Sequence, residues 1–445
     1  MKRILLLFFL VSVVCVGAQS AVYDITQFGA VCDTTQLSTA AIQKAIDTCH
    51  EKGGGEVRVP AGDYKTGTLI LKSNVNLHLE LGATLYGSTL IDDYIPVKPQ
   101  YLSLRTQTET IQLIYAENAR NVAITGLGCI DGRGKTFPKL SWNDEGITRP
   151  HLLRMVTCSD VTVSGVTLRN SGCWMQHYLA CDRVRISGIK VFNRNNYNND
   201  ALDLDGCHDV VVSDMMADSD DDGITLKSTS PRCCENITIS NCVVSSHCNA
   251  VKLGTESNGG FRNITISHIV VKPSEDQTSQ FFGNPRGTSA ISLEIVDGGV
   301  LENVSVSDFV VEGTEAPVFV RLGHRARGYY QGQVISQVGS IRNVYIHDIT
   351  VTKAGKTGCS ISGIPGHPVE NVYLSDIWIE HEGGVGDTAV PADEKVAEYP
   401  EATMWGILPA KGFFVRHARD VVFSNVHIHT LQPDSRPEYV SIDAE

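Results

Sequence analysis

Asp160-Val161-Thr162-Val163, Arg183-Val184-Arg185-Ile186, Asp209-Val210-Val211-Val212, Asn236-Ile237-Thr238-Ile239 and Asn263-Ile264-Thr265-Ile266 are copies of one phrase. A polar residue opens each copy, and β-branched residues follow at alternate positions, the two-residue period of a strand with one buried face. An earlier copy is Asn121-Val122-Ala123-Ile124, and later ones open at Asn303, Asn343, Asn371 and Asp420. In mid-chain the copies recur every ~23 to 28 residues, a period that marks a solenoid. Strands this short are satisfied when each coil pairs with the next at about 4.8 Å, as in a parallel β-helix. The longer gaps before Asn303, Asn343 and Asp420 are loops inserted between coils, where specificity is expected to sit.

The opening residues can stack as a polar ladder at a turn. That gives Asn236, Asn263 and Asn303 a structural task, although each also begins an Asn-x-Ser/Thr sequon. The ladder is preferred because it accounts for the Asp copies as well. Cys158, Cys181, Cys207 and Cys234 each stand three residues before the first β-branched residue of successive phrases, and Phe261, Leu301, Ile341 and Val369 fill that slot in later coils. The slot is therefore apolar and inward. Stacked thiols about one coil apart exceed the usual disulfide Cβ separation of roughly 3.8 Å, so buried reduced cysteines are expected.

Residues 39–47 have helical periodicity and are followed by three glycines, which suits a helix capping the open end of the solenoid. No linker interrupts the coils, so the expectation is one all-β domain, a parallel β-helix over residues 21–445 with a short N-terminal capping helix. Residues 1–20 have the charged start and apolar middle of a secretory signal peptide, with cleavage expected near residue 19 or 21 and a secreted or periplasmic destination. No later apolar run is long enough to span a bilayer. A formal net charge of −13 argues against nucleic acid as a partner.

Two acidic stretches sit one repeat apart inside this pattern: Asn199-Asp200-Ala201-Leu202-Asp203 and Asp220-Asp221-Asp222-Gly223-Ile224. Aligning Leu204 with Leu226 as inward residues stacks Asp200 over Asp222 and Asp205 over Lys227. The second pair reads as a cross-coil ion pair. Asp200, Asp221 and Asp222 have no such obvious cation and converge on one patch. Clustered carboxylates push at least one pKa up, so one can stay protonated as an acid while its neighbours act as bases, the division of labour that glycosidic cleavage requires. Asp218 to Gly223 also matches the first half of a calcium loop, but Thr229 stands where the bidentate Glu belongs, and the context is strand. A solvated acidic turn without chemistry is the bland alternative.

The opening from Tyr23 to Ala30, Gly54 to Tyr64, Asn170-Ser171-Gly172-Cys173-Trp174, Asn199-Asp200, Asp221-Asp222 and residues 224–228 resemble the polygalacturonase-like proteins of glycoside hydrolase family 28. The resemblance covers essentially the whole chain after the signal. It implies a right-handed parallel β-helix and hydrolysis of pectic polysaccharide with inversion. It places the general acid at Asp221, with Asp200 and Asp222 positioning and deprotonating water. Inversion leaves roughly 6.5–9.5 Å between acid and base carboxyls, and adjacent coils alone would hold them closer.

Two departures bear on substrate. Where the family has Gly-His-Gly, this chain has Cys248-Asn249-Ala250. Where the family has Arg-Ile-Lys, which holds a galacturonate carboxylate, it has Ser292-Leu293-Glu294, and a glutamate would repel that group. Compensating sugar contacts are expected from Asn249, His247 and Lys252, and from Arg321, His324, Arg325 and Arg327 with Tyr329 and Tyr330 on an inserted loop, because Arg forks suit carboxylates and aromatic faces suit sugar rings. Trp405, Phe413, Arg416 and His417 form a second such group. The reading is an inverting glycosidase for a pectic polysaccharide or oligosaccharide, needing no cofactor or metal. Rhamnogalacturonan or side-chain linkages are favoured over homogalacturonan. Exo action is favoured because long loops could wall off one end of the groove. A calcium-assisted polysaccharide lyase and a non-catalytic carbohydrate-binding solenoid are the alternatives.

Overall fold

The computed structural model describes residues 21–139, 148–276 and 286–445, so the expected signal peptide lies outside the described residues. The chain winds into a right-handed parallel β-helix. Strands pair in parallel with their counterparts one coil away. On the face that carries the repeated phrase, Ser159–Ser164 is followed by Asp182–Ser187, His208–Ser213, Cys234–Ser246 and Gly260–Val271. A second face runs from His151–Val156 through Gln176–Leu179, Leu202–Asp205, Ile224–Ser228, Asn249–Ser257, Ser289–Ile295 and Val318–Leu322.

The core is a set of inward rows. Leu204, Leu226, Leu253, Leu293, Val320, Ile361 and Val415 stand in consecutive register, and all are buried. Cys158, Cys181, Cys207 and Cys234 are buried free thiols in the slot the sequence assigns to them, with Cys234 directly beneath Phe261 and Phe261 beneath Leu301. Helix Thr39–Glu51 runs a turn beyond the expected segment and buries Ile42, Ala45, Ile46 and Cys49. It packs against the first strands, closing the end of the core. Among the described residues no helix is long and apolar enough to cross a membrane.

The polar openers form the expected ladder. Asn236 donates to Asp209 at 3.1 Å, Asn263 to Asn236 at 3.3 Å, Asn303 to Asn263 at 3.2 Å, Asn343 to Asn303 at 3.2 Å and Asn371 to Asn343 at 3.1 Å. Each of these residues has a φ between 53° and 57°. That left-handed conformation explains their identity, because Asn and Asp adopt it at lower cost than other side-chain-bearing residues. Arg183 is the exception at φ 52°; its guanidinium is held by both carboxylate oxygens of Asp160, at 2.7 and 3.0 Å.

Candidate active site

The two acidic turns are set by backbone and amide contacts. Asn193 donates from its side chain to the carbonyls of Cys173 and Asp200, both at 3.0 Å, and accepts from the amide of Ser171. Asn199 donates to the carbonyls of Ser171 and Cys173. Together they lock the loop carrying Trp174 to the turn carrying Asp200. One coil on, the Ala201 amide donates to the Asp222 carbonyl at 3.0 Å, and the Gly223 amide to the Asn249 carbonyl at 2.8 Å. Asp200, Asp222, Asn249 and Ser289 therefore form one row. Ser219 and Ser246 donate to the Asp221 carbonyl and fix the turn between.

All three carboxylates are buried. Asp222 accepts from the Asn249 side chain at 2.8 Å and lies 3.2 Å from the Lys252 ammonium, while Ser289 donates to Asn249 at 2.6 Å. Burial alone would raise the Asp222 pKa, but Lys252, Lys227 and Asn249 outweigh it and hold the group below the usual carboxylate value. Asp221 has the opposite fate. Burial, reinforced by the charges of Asp200 and Asp222, pushes it well above the usual range. Asp200 is pushed up to about 6, chiefly by burial and despite Lys227, whose ammonium is 3.5 Å away. Three chemically identical groups are thus pushed apart in pKa, the division that acid–base chemistry uses. One oxygen of Asp221 and one of Asp222 lie within 4.8 Å of each other, short of the roughly 6.5–9.5 Å expected between acid and base carboxyls, because the two residues are consecutive in one turn. Cys248 completes a trio that could hold a cation, but burial raises its thiol pKa well above normal and Lys252 already supplies positive charge at Asp222.

The expected ion pair between Asp205 and Lys227 does not form, although the two are register partners. Asp205 accepts from the amide and hydroxyl of Thr229, at 2.9 and 2.6 Å, and sits 3.1 Å from Nε2 of His177. Lys227 instead reaches across the strand to Asp203 at 3.3 Å, Asp200 at 3.5 Å and Glu256 at 3.9 Å. A long flexible stem finds the densest negative charge, and Cα register does not decide where it ends. This brings Lys227 into the site.

The other expected sugar contacts divide into groups. Asn249 and Lys252 are in the carboxylate cluster. His247 is not: its Nδ1 lies 2.8 Å from Asp220, which raises the imidazole pKa against the effect of burial. Arg321 is a strand residue rather than a loop residue. Its guanidinium donates to the carbonyls of Gly363, Glu394 and Lys395 and stacks over Trp405 at 5.0 Å, pinning the loop that covers this face. His324 joins the same loop through its amide, which donates to Val396 at 2.7 Å. Arg325 is paired with Asp297, and Arg327 with Glu256. Arg416 and His417 are both paired with Glu394. These cations serve internal carboxylates. Arg327 and Arg105 pair with Glu256, which is held well below its usual pKa by Arg105, Lys227 and Arg327 in spite of burial, and Arg105 also stacks 4.9 Å over the Trp174 ring.

Sequence reasoning missed Glu256, Tyr399 and Glu401. Lys252 lies 3.3 Å from the Tyr399 hydroxyl and 3.7 Å from Glu401. Both belong to a loop about 150 residues downstream, outside any repeat. Glu294 faces the same ammonium; burial pushes it up to about 8, so it is protonated at neutral pH, and Glu401 is raised too.

Residues 49–396 match glycosyl hydrolases family 28. A probable polygalacturonase of Vitis vinifera is 30% identical over 215 residues, 46% of this chain and 44% of that protein. An exo-poly-alpha-D-galacturonosidase of Dickeya chrysanthemi is 39% identical over 157 residues, 34% of this chain and 25% of that protein. The chain thus spans less than half the length of these curated relatives. The crystal structure of a hyperthermoactive exopolygalacturonase from Thermotoga maritima superposes with a TM-score of 0.72 at 20% identity, covering 92% of both chains, a likeness of fold. Through the family match over most of its length and the acidic turns described above, the chain belongs to glycoside hydrolase family 28.

Proposed function

We propose that this protein hydrolyses O-glycosidic bonds in a pectic polysaccharide or oligosaccharide, with inversion at the anomeric carbon. Asp221 protonates the leaving oxygen; Asp222, with Asp200, orients and deprotonates the attacking water. The observation that carries the reading is the split in protonation: Asp221 is pushed up by burial and its carboxylate neighbours, and Asp222 is held down by Lys252 and Asn249. Proton transfer of this kind contributes roughly 10²–10⁴-fold to rate.

The substrate departs from homogalacturonan. At the positions where the family reads a galacturonate carboxylate stand Ser292 and a buried Glu294, which hydrogen-bond each other at 2.6 Å, with Glu401 close by. A neutral hydroxylated sugar can hydrogen-bond there, and neither position carries a cation to hold a second carboxylate. This favours a backbone that alternates uronate with a neutral sugar, as rhamnogalacturonan does, or a side-chain linkage. Exo action is supported by the loop that Arg321 pins through the carbonyls of Glu394 and Lys395, whose Tyr399 and Glu401 face Lys252, and by the exo-acting relative. A leader at residues 1–20 would deliver the enzyme to the periplasm or the medium, where such polymers are met. Incubation of purified protein with fractionated pectins and identification of the products tests the reading: release of a terminal unit from rhamnogalacturonan supports it, and cleavage of homogalacturonan alone overturns the specificity.

A further inference from the structure

On the N-terminal side of the catalytic row, the same outward face holds a cavity of about 90 Å³ lined by Arg105, Arg149, His151, Arg154, Trp174 and His177. At about 10–15 Å³ per water this space holds several waters, or the edge of one sugar. Arg154 is 1% exposed and stands in register with His177, which in turn is in register with Asp203 of the catalytic coil. Its described hydrogen bonds go to the Thr110 hydroxyl and, at 2.7 Å, to the Arg105 carbonyl; Nε has none. No carboxylate among the described residues pairs with it. Desolvating a guanidinium with only neutral partners costs several kcal/mol, so a protein that keeps one has left the counter-charge to something else.

Asp205, which pairs with His177, favours the guanidinium charge without contacting it, and burial outweighs that effect. Nδ1 of His151 and Nδ1 of His177 are buried without partners. Burial lowers both imidazole pKa values, His177 to about 4 and His151 well below its usual value. The rings stack at 6.1 Å, and Trp174 meets them edge-on at 5.7 and 5.0 Å. Trp174 is also the wall shared with the catalytic centre, since the Lys227 ammonium sits 4.7 Å above its ring and 3.5 Å from Asp200. The cavity is therefore about one sugar ring from the reacting carboxylates. It offers a fixed cation, neutral imidazole edges for hydroxyls and an aromatic wall.

We infer that this cavity is a uronate subsite in which Arg154 receives the sugar carboxylate, so that the acidic unit is read on the N-terminal side of the scissile bond while the side bearing Glu294 and Glu401 takes a neutral unit. The inference rests on the pectic reading for its ligand class. It differs from that reading in requiring only binding, and a planar guanidinium is suited to a carboxylate by its fork geometry.

The test is calorimetric titration of the full-length Asp221→Asn protein with a disaccharide of galacturonate joined to rhamnose and with the same disaccharide after carboxyl reduction. The expected result is at least tenfold tighter binding of the acidic sugar. Adding Arg154→Gln should abolish that preference and leave the reduced sugar's affinity within twofold, and Arg154→Lys should restore part of it. Equal affinity of the Asp221→Asn protein for the two sugars overturns the inference, even if Arg154→Gln does not fold. So does an equal loss for both sugars on substitution. Preference without hydrolysis by the wild-type enzyme would retain the subsite and remove the proposed activity; hydrolysis without preference would do the reverse.

Discussion

Lys252→Met is the perturbation that reaches furthest into the site. The ammonium lies 3.2 Å from Asp222, and its charge also lowers the pKa of Asp200 and of Asp221. At an effective dielectric of about 20, a pair at this distance interacts with about 5 kcal/mol. That is up to about 4 pKa units, which relaxation and water entry bring toward the roughly 1–3 units seen for paired carboxylates. All three carboxyls rise together when the cation is removed, so both limbs of the kcat/KM profile should move to higher pH by a unit or more. The protein should also lose about 3–5 kcal/mol of stability, because Asp222 is left buried without its cation. The assay is initial rate of reducing-end release across pH, with far-ultraviolet circular dichroism to establish folding and Lys252→Arg as the charge-retaining control. A folded Lys252→Met enzyme whose profile coincides with wild type would refute the electrostatic account.

Asp221→Asn should lower kcat by roughly 10²–10⁴ at every pH with little change in KM; comparable turnover in a reducing-end assay would remove Asp221 as the acid. Because Glu294 is raised to about 8 in the folded state, its contribution favours folding below the unfolded value near 4.5 and is lost as pH rises through 8. At pH 7 the penalty is about 3 kcal/mol, so Glu294→Gln should flatten the decline in urea midpoint between pH 4.5 and 8, and parallel curves would contradict this. In the ladder, Asn303 has φ 57°, donates to Asn263 and accepts from Asn343. Asn303→Ala should cost about 1–2 kcal/mol for the left-handed backbone, beyond the lost hydrogen bonds, and Asn303→Gly less; equal unfolding midpoints for the two would dissociate the ladder from backbone conformation.

The fold was legible because a solenoid repeats its instructions. One strand phrase, one inward slot and one left-handed turn recur, so Cys234, Phe261 and Leu301 report the same position three times over. The acidic row was legible for the same reason, since the register of Leu204 and Leu226 also stacks Asp200 over Asp222. What lay outside the repeat was not. Tyr399 and Glu401 arrive from a loop with no period, and Arg325 and Arg327 read as free clamps because Asp297 and Glu256, which occupy them, lie on other coils. The Lys227 contacts failed in a further way: the backbone partner was correct, but a long flexible side chain chose among neighbouring carboxylates that alternation does not rank.

Proton nuclear magnetic resonance of the first products from a rhamnogalacturonan backbone separates inverting hydrolysis from retention and from elimination. Cleavage should release new reducing ends in the inverted anomeric configuration, with no unsaturated, ultraviolet-absorbing product. A retained anomer, an unsaturated uronate or an uncut polymer would contradict inverting hydrolysis of this backbone.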